Sequence, residues 1–335
     1  AAADALRVWA ERHGLPVAVA FRRQDYIDNR SPAYVGDLNV GPNPKLMARL
    51  KTADLILALG TRLGDIATGG YEVLDPVQSA PALIHVHPDA DEINRVWSTA
   101  TPIVARAADV IAALGARDDA LPGWHEAQTA ARADYEDWVR PKETPGAVKL
   151  EQVIAHLDAV LPDDAILTNG AGNYAAFLHR YYRWRQFGTQ LAPTSGSMGY
   201  GFPAAIAASL QHPGRDVICL AGDGCFQMTC NELSTAAQHG ARPIVIVANN
   251  GRYGTIRMHQ ERHYRGRVSG TDLANPDFAA LARAYGGEGF TVDTQAAFAP
   301  ALAAARAAAT FSVIELKLDP DMLTTGMSLS QMAAV

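Results

Sequence analysis

The residues of this chain best suited to chemistry are a carboxylate set between two glycines, Gly222-Asp223-Gly224, and a pair of amides, Asn249-Asn250. Asn250 follows Asp223 by 27 positions (250 − 223). A carboxylate oxygen, an amide oxygen and a nearby backbone carbonyl make three hard donors on one side of a small divalent cation. Magnesium, roughly octahedral, would fill its remaining positions with phosphate oxygens and water. The glycines let backbone approach a ligand closely, and a helix opening at Gly224 turns free N–H groups toward phosphate. Gly-Asp-Gly alone also serves as a plain helix cap. The complete unit of strand, Gly-Asp-Gly, helix, strand and Asn-Asn is what points to a phosphate-bearing cofactor.

For these residues to meet, the chain must leave a sheet edge and return to it. "DVICLAGDG" supplies one strand, a crossover helix runs to about Gly240, and "PIVIVANN" supplies the next strand. In a parallel sheet, strand carboxyl ends and helix amino ends share an edge, and ligands collect there. From Leu150 onward the same alternation holds: helix, the strand of "AILTNGAG", helix, "APTSGSMGYGFPAAIAASL", the two strands above, then an alanine-rich helix over 296–309 and a last strand in Phe311 to Leu318. Earlier, Val17 to Phe21, Asp54 to Gly60 and Ala82 to His87 read as strands separated by helical patterns, with a charged helix over 120–140. The fold class is therefore α/β, with two doubly wound parallel-sheet domains. Residues 1–140 are expected to form the first, Rossmann-like domain, 141–149 a Pro, Gly and Lys linker, and 150–335 the second domain.

Bulk properties exclude several classes. The net charge of −6 is scattered, so no basic stripe argues for nucleic acid and no polybasic run for a membrane surface. The arginine-rich, aromatic stretch His179 to Phe187 reads as a helix end at a subunit or domain contact. The three cysteines, Cys219, Cys225 and Cys230, form no C-x-x-C pair, which fits a reducing compartment and a cytoplasmic location. Asp4, Arg7 and Glu11 interrupt the first apolar pattern, which a signal peptide would not tolerate. The sequence starts without Met and already in helical period, so the chain is expected to be part of a longer or two-chain protein.

Gly222 to Asn250 resembles the diphosphate and magnesium motif of the thiamine diphosphate enzymes, and Ser195 to Leu210 resembles the segment preceding it in acetolactate synthase-like members. The resemblance covers the whole chain. It implies that residues 1–140 are that family's central domain, lacking its first strand, and that 150–335 are its thiamine diphosphate-binding domain. The amino-terminal domain that holds the pyrimidine ring has no counterpart in this sequence. Carried over position by position, Asp223 and Asn250 bind magnesium by side chain and Arg252 by its carbonyl. Met198 props the cofactor into a bent shape, and the Gly196 carbonyl accepts from the pyrimidine amino group. Asn173 and Tyr174, in "GAGNYA", meet the diphosphate, with Ser197, Gly222, Gly224, Cys225 and Tyr253 completing the cofactor contacts. Cys225 stands where the family commonly has Ser. His259 falls where acetohydroxyacid synthases place a pocket-shaping tryptophan, and is assigned to the acceptor pocket as an acid or base, with a solvated loop histidine as the alternative.

The implied activity is that of a carboligase or decarboxylase acting on a 2-oxo acid. A glutamate from the missing domain or a companion chain completes the site, in a homodimer or homotetramer. The chain alone is expected to bind cofactor weakly and not to turn over. FAD in the central domain is a further possibility, at Gly36 to Asn43 and Leu59 to Asp65. Two rivals stay open: a split-subunit or degenerate component that binds cofactor without catalysis, and a dinucleotide-binding oxidoreductase, for which no G-x-G-x-x-G follows an early strand. The pairs His85/His87 and His259/His263 imitate metal spacings, but no third ligand is placed by the sequence, and structural roles are expected for them as metal candidates.

Overall fold

The computed structural model describes residues 2–75, 81–117 and 123–334. The chain divides into two compact units, one comprising the residues up to Val139 together with Arg183–Phe187, the other Arg140–Tyr182 with Gly188–Val335. The division falls at the start of the linker read from sequence. It also takes five residues of the arginine-aromatic stretch into the first unit. There Trp184 is fully buried, its N–H donating to Asn29 Oδ1 at 3.0 Å and its carbonyl accepting from the Asn29 N–H at 2.8 Å.

In the first unit the elements are α1 (Ala2–His13), β1 (Val17–Val19), β2 (Tyr34–Asp37), α2 (Pro44–Thr52), β3 (Leu55–Leu59), β4 (Ala82–His87), β5 (Thr101–Val104), α3 (Ala107–Gly115) and α4 (His125–Trp138). Residues 120–122, included in the expected charged helix, lie outside the described residues. α2 starts where capping chemistry dictates: Asn43 Oδ1 accepts from the Lys45 N–H, and Pro44 takes the first helical position, where no N–H is needed. The strands are parallel, as expected, but they pair as two ladders, β1–β2 and β3–β4–β5, rather than as one sheet. The backbone of β2 leaves the ordinary strand region at Gly36 (φ +121°), and its ladder ends at Asp37.

The second unit runs α5 (Leu150–Val160), β6 (Ile166–Asn169), α6 (Asn173–Tyr181), β7 (Gln190–Leu191), α7 (Gly201–Gln211), β8 (Val217–Gly222), α8 (Asp223–Gln227), α9 (Leu233–His239), β9 (Ile244–Asn249), α10 (Gly254–His263), α11 (Phe278–Ala284), β10 (Glu288–Val292), α12 (Gln295–Ala307), β11 (Ser312–Lys317) and α13 (Leu329–Ala334). Its six strands are all parallel in the order β10-β11-β9-β8-β6-β7. Near-continuous apolar runs such as Ile244–Ala248 follow from burial on both faces. Phe202, Phe226, Phe278 and Phe311 pack together with Val217, Val245 and Val313 in one core, each phenyl ring contributing about 2–3 kcal/mol by leaving water.

The crossover between β8 and β9 differs from expectation. It is two helices, α8 and α9, with Cys230–Glu232 in a 3-10 turn between them. The break has a physical use: Thr229 leaves helical geometry (φ −137°) and donates its hydroxyl to the carbonyl of Gly199 at 3.1 Å. α9 then ends as read, on Gly240 in the left-handed region (φ +66°).

Candidate cofactor and metal site

In this sheet order the chain passes from β6 outward to β7 and returns to β8 on the other side of β6. The connections after β6 and β8 thus diverge at a switch point, where open parallel sheets bind ligands. Residues 170–173, 195–200, 222–225 and 249–253 gather at this edge.

Asp223 is its electrostatic centre. The side chain is buried at 3% exposure. Oδ1 accepts from the Gly224 N–H at 2.8 Å, while Oδ2 accepts from the Gly251 N–H at 2.9 Å and from Asn275 Nδ2 at 2.8 Å. All of these donors are neutral. Burial raises the Asp223 carboxyl above its ordinary value, against the hydrogen bonds from Gly224, Asn275, Gly251 and Arg252 that favour the charged form. A buried carboxylate held by neutral dipoles has a charge that a cation would neutralise at close range.

The amide side of the site fits the same cation. Asn250 Nδ2 is directed at the carbonyl of Met322 (3.4 Å), which reserves Oδ1 as the end able to donate to a metal. Residues 251–253 are held by 271–273 through the Leu273 N–H to Gly251 O and the Tyr253 N–H to Thr271 O, both 2.8 Å. Arg252 lies between those bonds and turns its own N–H toward Asp223. Asp223 and the turn after Asn250 therefore meet at the β8 and β9 ends, through the Gly251 N–H to Asp223 Oδ2, where a hard divalent ion would find oxygen donors.

The glycines around Asp223 have a second purpose that the sequence did not disclose. A Cβ on Gly222 would come within 2.8 Å of the Tyr174 ring, and one on Gly224 within 2.5 Å of the Tyr253 ring. Each glycine lies against a tyrosine, not only against the space for a ligand. The Gly224 N–H, expected to face phosphate, is taken by Asp223 itself.

Tyr174 and Cys225 turn inward. The Tyr174 hydroxyl accepts from the Gly170 N–H (3.1 Å) and donates to Cys225 Sγ (3.1 Å). Cys225 Sγ also accepts from the Gly199 N–H at 3.0 Å. Burial, with Cys225 beside it, pushes the Tyr174 phenol well above its ordinary value, so it remains a donor. These two residues brace the loops from inside rather than presenting their polar atoms outward.

That bracing positions Met198. Gly199 is fixed through both its N–H, to Cys225, and its carbonyl, from Thr229, while Gly201 packs on the Asn169–Gly170 peptide so closely that a Cβ would sit 2.9 Å from it. Between these anchors and Gly196 (φ +71°), Met198 stands 38% exposed. Ser195 and Ser197 hydroxyls share a hydrogen bond at 2.8 Å. An apolar side chain held out of a fixed loop is what a wedge requires.

Asn173 faces another element. Its N–H donates to Thr255 Oγ1, the Thr255 hydroxyl donates to Asn173 Oδ1 (both 3.0 Å), and its Nδ2 reaches Met258 Sδ at 3.5 Å. This joins the start of α6 to α10. His259 is exposed on α10, its ring stacked on that of His263 at 5.8 Å and 8°. No contact brings His259 to Asp223 or Met198. In the first unit, buried His85 bonds to the carbonyl of Thr61 at 2.8 Å. Among the described residues no group of three His, Cys, Asp or Glu side chains is placed to hold a metal ion. No helix among the described residues is long and apolar enough to cross a membrane.

Asn275, Thr255, Thr229 and Met322 were not singled out by sequence. Asn275 had one usable signal, its place before Pro276 and the Asp277 cap of α11, which fixes an extended turn there.

Comparison with known proteins gives the family and the fold. Residues 1–114 match the central domain of the thiamine pyrophosphate enzymes, and residues 170–316 match the C-terminal TPP binding domain of the same enzymes. The chain is 32% identical over 299 residues to an acetolactate synthase of Mycobacterium bovis, covering 85% of this chain and 48% of that protein. It is 28% identical over 327 residues to a sulfoacetaldehyde acetyltransferase of Castellaniella defragrans, covering 90% of this chain and 55% of the relative. Among solved structures, the thiamine diphosphate-dependent 4-hydroxybenzoylformate decarboxylase of Rhodococcus jostii RHA1 superposes with a TM-score of 0.75 at 28% identity, over 94% of this chain and 58% of that one. The chain spans about half the length of the curated relatives it matches.

Proposed function

The chain belongs to the thiamine pyrophosphate enzymes, and from that premise we propose that it is the part of a thiamine diphosphate- and magnesium-dependent carboligase or decarboxylase that holds the diphosphate and the metal while a 2-oxo acid reacts. The observation that carries this reading is the buried Asp223 carboxylate, held by the neutral donors Gly224, Gly251 and Asn275, beside the Asn250–Arg252 turn.

In this reading Asp223 Oδ, Asn250 Oδ1 and the Arg252 carbonyl hold magnesium. Thiamine diphosphate, when bound, supplies stabilisation of negative charge on the former carbonyl carbon of the substrate. The protein's share is orientation and exclusion of water. Met198 would present an apolar surface to the bound cofactor, and the neighbouring Gly196 carbonyl would accept a hydrogen bond from the pyrimidine amino group. Tyr174 and Cys225 keep the Met198 loop and the Gly170 loop at fixed spacing. The chain's share of its relatives' length supports a further domain, or a companion chain, that supplies the glutamate for the pyrimidine. A homodimer or homotetramer in the cytoplasm follows the same reading. His259 is assigned to the acceptor pocket as an acid or base.

Calorimetric titration of the intact protein with thiamine diphosphate, with and without magnesium, tests the cofactor assignment. With the glutamate-supplying domain or companion chain present, binding is expected only with the metal, and metal-independent or absent binding would then overturn it. Carbon dioxide release from aliphatic and aromatic 2-oxo acids, followed by product identification with added aldehyde or 2-oxo acid acceptors, separates decarboxylation from carboligation. A His259→Ala variant with unchanged product partition would remove the acceptor role.

A further inference from the structure

A fully buried carboxylate lies two side chains behind the proposed metal ligand. Glu315, on β11, is 0% exposed. Its Oε1 accepts from Asn249 Nδ2 and from Lys317 Nζ, both at 2.6 Å, and its Oε2 has no hydrogen-bond partner among the described residues. Asn249 Oδ1, the other end of that amide, accepts from the Gly251 N–H at 3.1 Å and from Asn275 Nδ2 at 2.8 Å. The same Asn275 Nδ2 donates to Asp223 Oδ2 at 2.8 Å, and Asn275 Oδ1 accepts from Gln227 Nε2 at 2.5 Å.

Each link in this chain constrains the next because the groups differ in what they offer. An ionised carboxylate only accepts, so Glu315 forces the NH2 of Asn249 toward itself and the oxygen away. That oxygen then forces Asn275 to turn its NH2 inward, the only orientation that also donates to Asp223. Without Glu315, Asn249 is free to flip. Its NH2 would then oppose the Gly251 N–H and the Asn275 NH2, and an Asn275 that flips in response would set its oxygen against Asp223. An unmatched buried polar contact of that kind costs about 1–3 kcal/mol, more for a charged group.

We propose that Glu315 is a positioning residue that sets the donor and acceptor polarity of the Asn249–Asn275 relay and thereby fixes the orientation of the Asp223 carboxylate toward magnesium. The inference rests on the magnesium reading given above. Supporting groups behind metal ligands typically change metal affinity about 10- to 100-fold when removed. A glutamine at 315 still offers an acceptor oxygen to Asn249 and Lys317, whereas leucine offers none.

Titration of magnesium into the intact protein with thiamine diphosphate present, read by calorimetry, tests the relay with three variants checked for fold by circular dichroism. Glu315→Leu is expected to weaken magnesium binding about 10- to 100-fold, and Glu315→Gln to restore it to within about five-fold of the parent. Asn275→Leu lies on a partly exposed loop outside the core, and tests the relay if Glu315→Leu does not fold. It is expected to weaken binding about 10-fold or more. Parent-like affinity in either folded leucine variant overturns the proposal. So does an equal loss in Glu315→Gln and Glu315→Leu, which would make the buried charge, not the polarity, the active element. Failure of the parent itself to bind magnesium would instead overturn the functional reading.

Discussion

The Tyr174 ring packs against Gly222, close enough that a Cβ on the glycine would approach Cδ1 at 2.8 Å and Cε1 at 2.9 Å. The ring also crowds Gly172, where a Cβ would meet Cε1 at 2.9 Å, and its hydroxyl lies 2.9 Å from a Cβ built on Gly170. Several glycines thus border one aromatic side chain, and the loops after β6 and β8 share it as a common support. Gly222→Ala must displace the ring or the β8 terminus and is expected to cost about 1–3 kcal/mol of stability. It should also weaken magnesium-dependent cofactor binding, because the displaced strand end carries Asp223. Thermal unfolding and calorimetry on one preparation check both. Full stability in Gly222→Ala would show that the ring has room to yield.

Asp223→Asn tests the centre of the metal site. An amide at 223 puts an NH2 where the structure supplies donors to both oxygens, from Gly224 on one side and from Gly251 and Asn275 on the other. It also removes the charge that would face the metal. Magnesium-dependent binding of thiamine diphosphate should fall at least about 100-fold, beyond the usual effect of a supporting group. Calorimetric affinity equal to the parent would remove Asp223 from the ligand set.

How much of this was legible in sequence depended on the range of the interactions. Asp223 and Asn250 could be placed at one edge because strand periodicity and a single crossover determine where each strand ends. The tilt of the surrounding side chains could not. Tyr174 reads as a ligand contact in "GAGNYA" but turns inward, since its partners Cys225 and Gly222 arrive from 51 and 48 residues away (225 − 174 and 222 − 174). Glu315 carries no local signal and Asn275 only its place before Pro276, because they reach Asn249 and Asp223 across separations of 66 and 52 residues. The division of the first unit's strands into two ladders was hidden for a related reason: short apolar runs announce strands but not their neighbours.

Met198→Ala separates orientation from grip. Met198 is 38% exposed on a loop tied down at Gly199, so shortening it leaves the loop's anchors and the Asp223 cluster untouched. With the domain or companion chain that supplies the glutamate present, turnover should fall by about 10-fold or more while cofactor affinity changes by less than about three-fold, the pattern of an interaction that matters chiefly in the reacting geometry. Steady-state kinetics beside calorimetric affinity decides this. A loss of affinity with unchanged turnover would make Met198 part of the binding clamp instead.

Stability of the first unit should carry a pH signature from Asp37, at the end of β2. Burial raises its carboxyl from the ordinary 3.8 to about 7, against hydrogen bonds from the Asn39 side chain and its own backbone. A raised carboxyl pKa means that the folded chain holds the proton more tightly than the unfolded chain. Its contribution is therefore most favourable below about pH 4, declines as pH rises toward 7, and is level above that. Asp37→Asn cannot titrate, so the stability difference between variant and parent should grow in the variant's favour from pH 5 to pH 8. One pH unit corresponds to about 1.4 kcal/mol without screening, and partial exposure of Asp37 reduces the expected gain over that window to about 1–2 kcal/mol. Trp9, Trp97, Trp124, Trp138 and Trp184 all lie in the first unit, so urea unfolding followed by tryptophan fluorescence reports on that unit. A variant-minus-parent difference that stays constant from pH 5 to pH 8 would show that Asp37 remains ionised throughout, its charge solvated or paired in the folded chain.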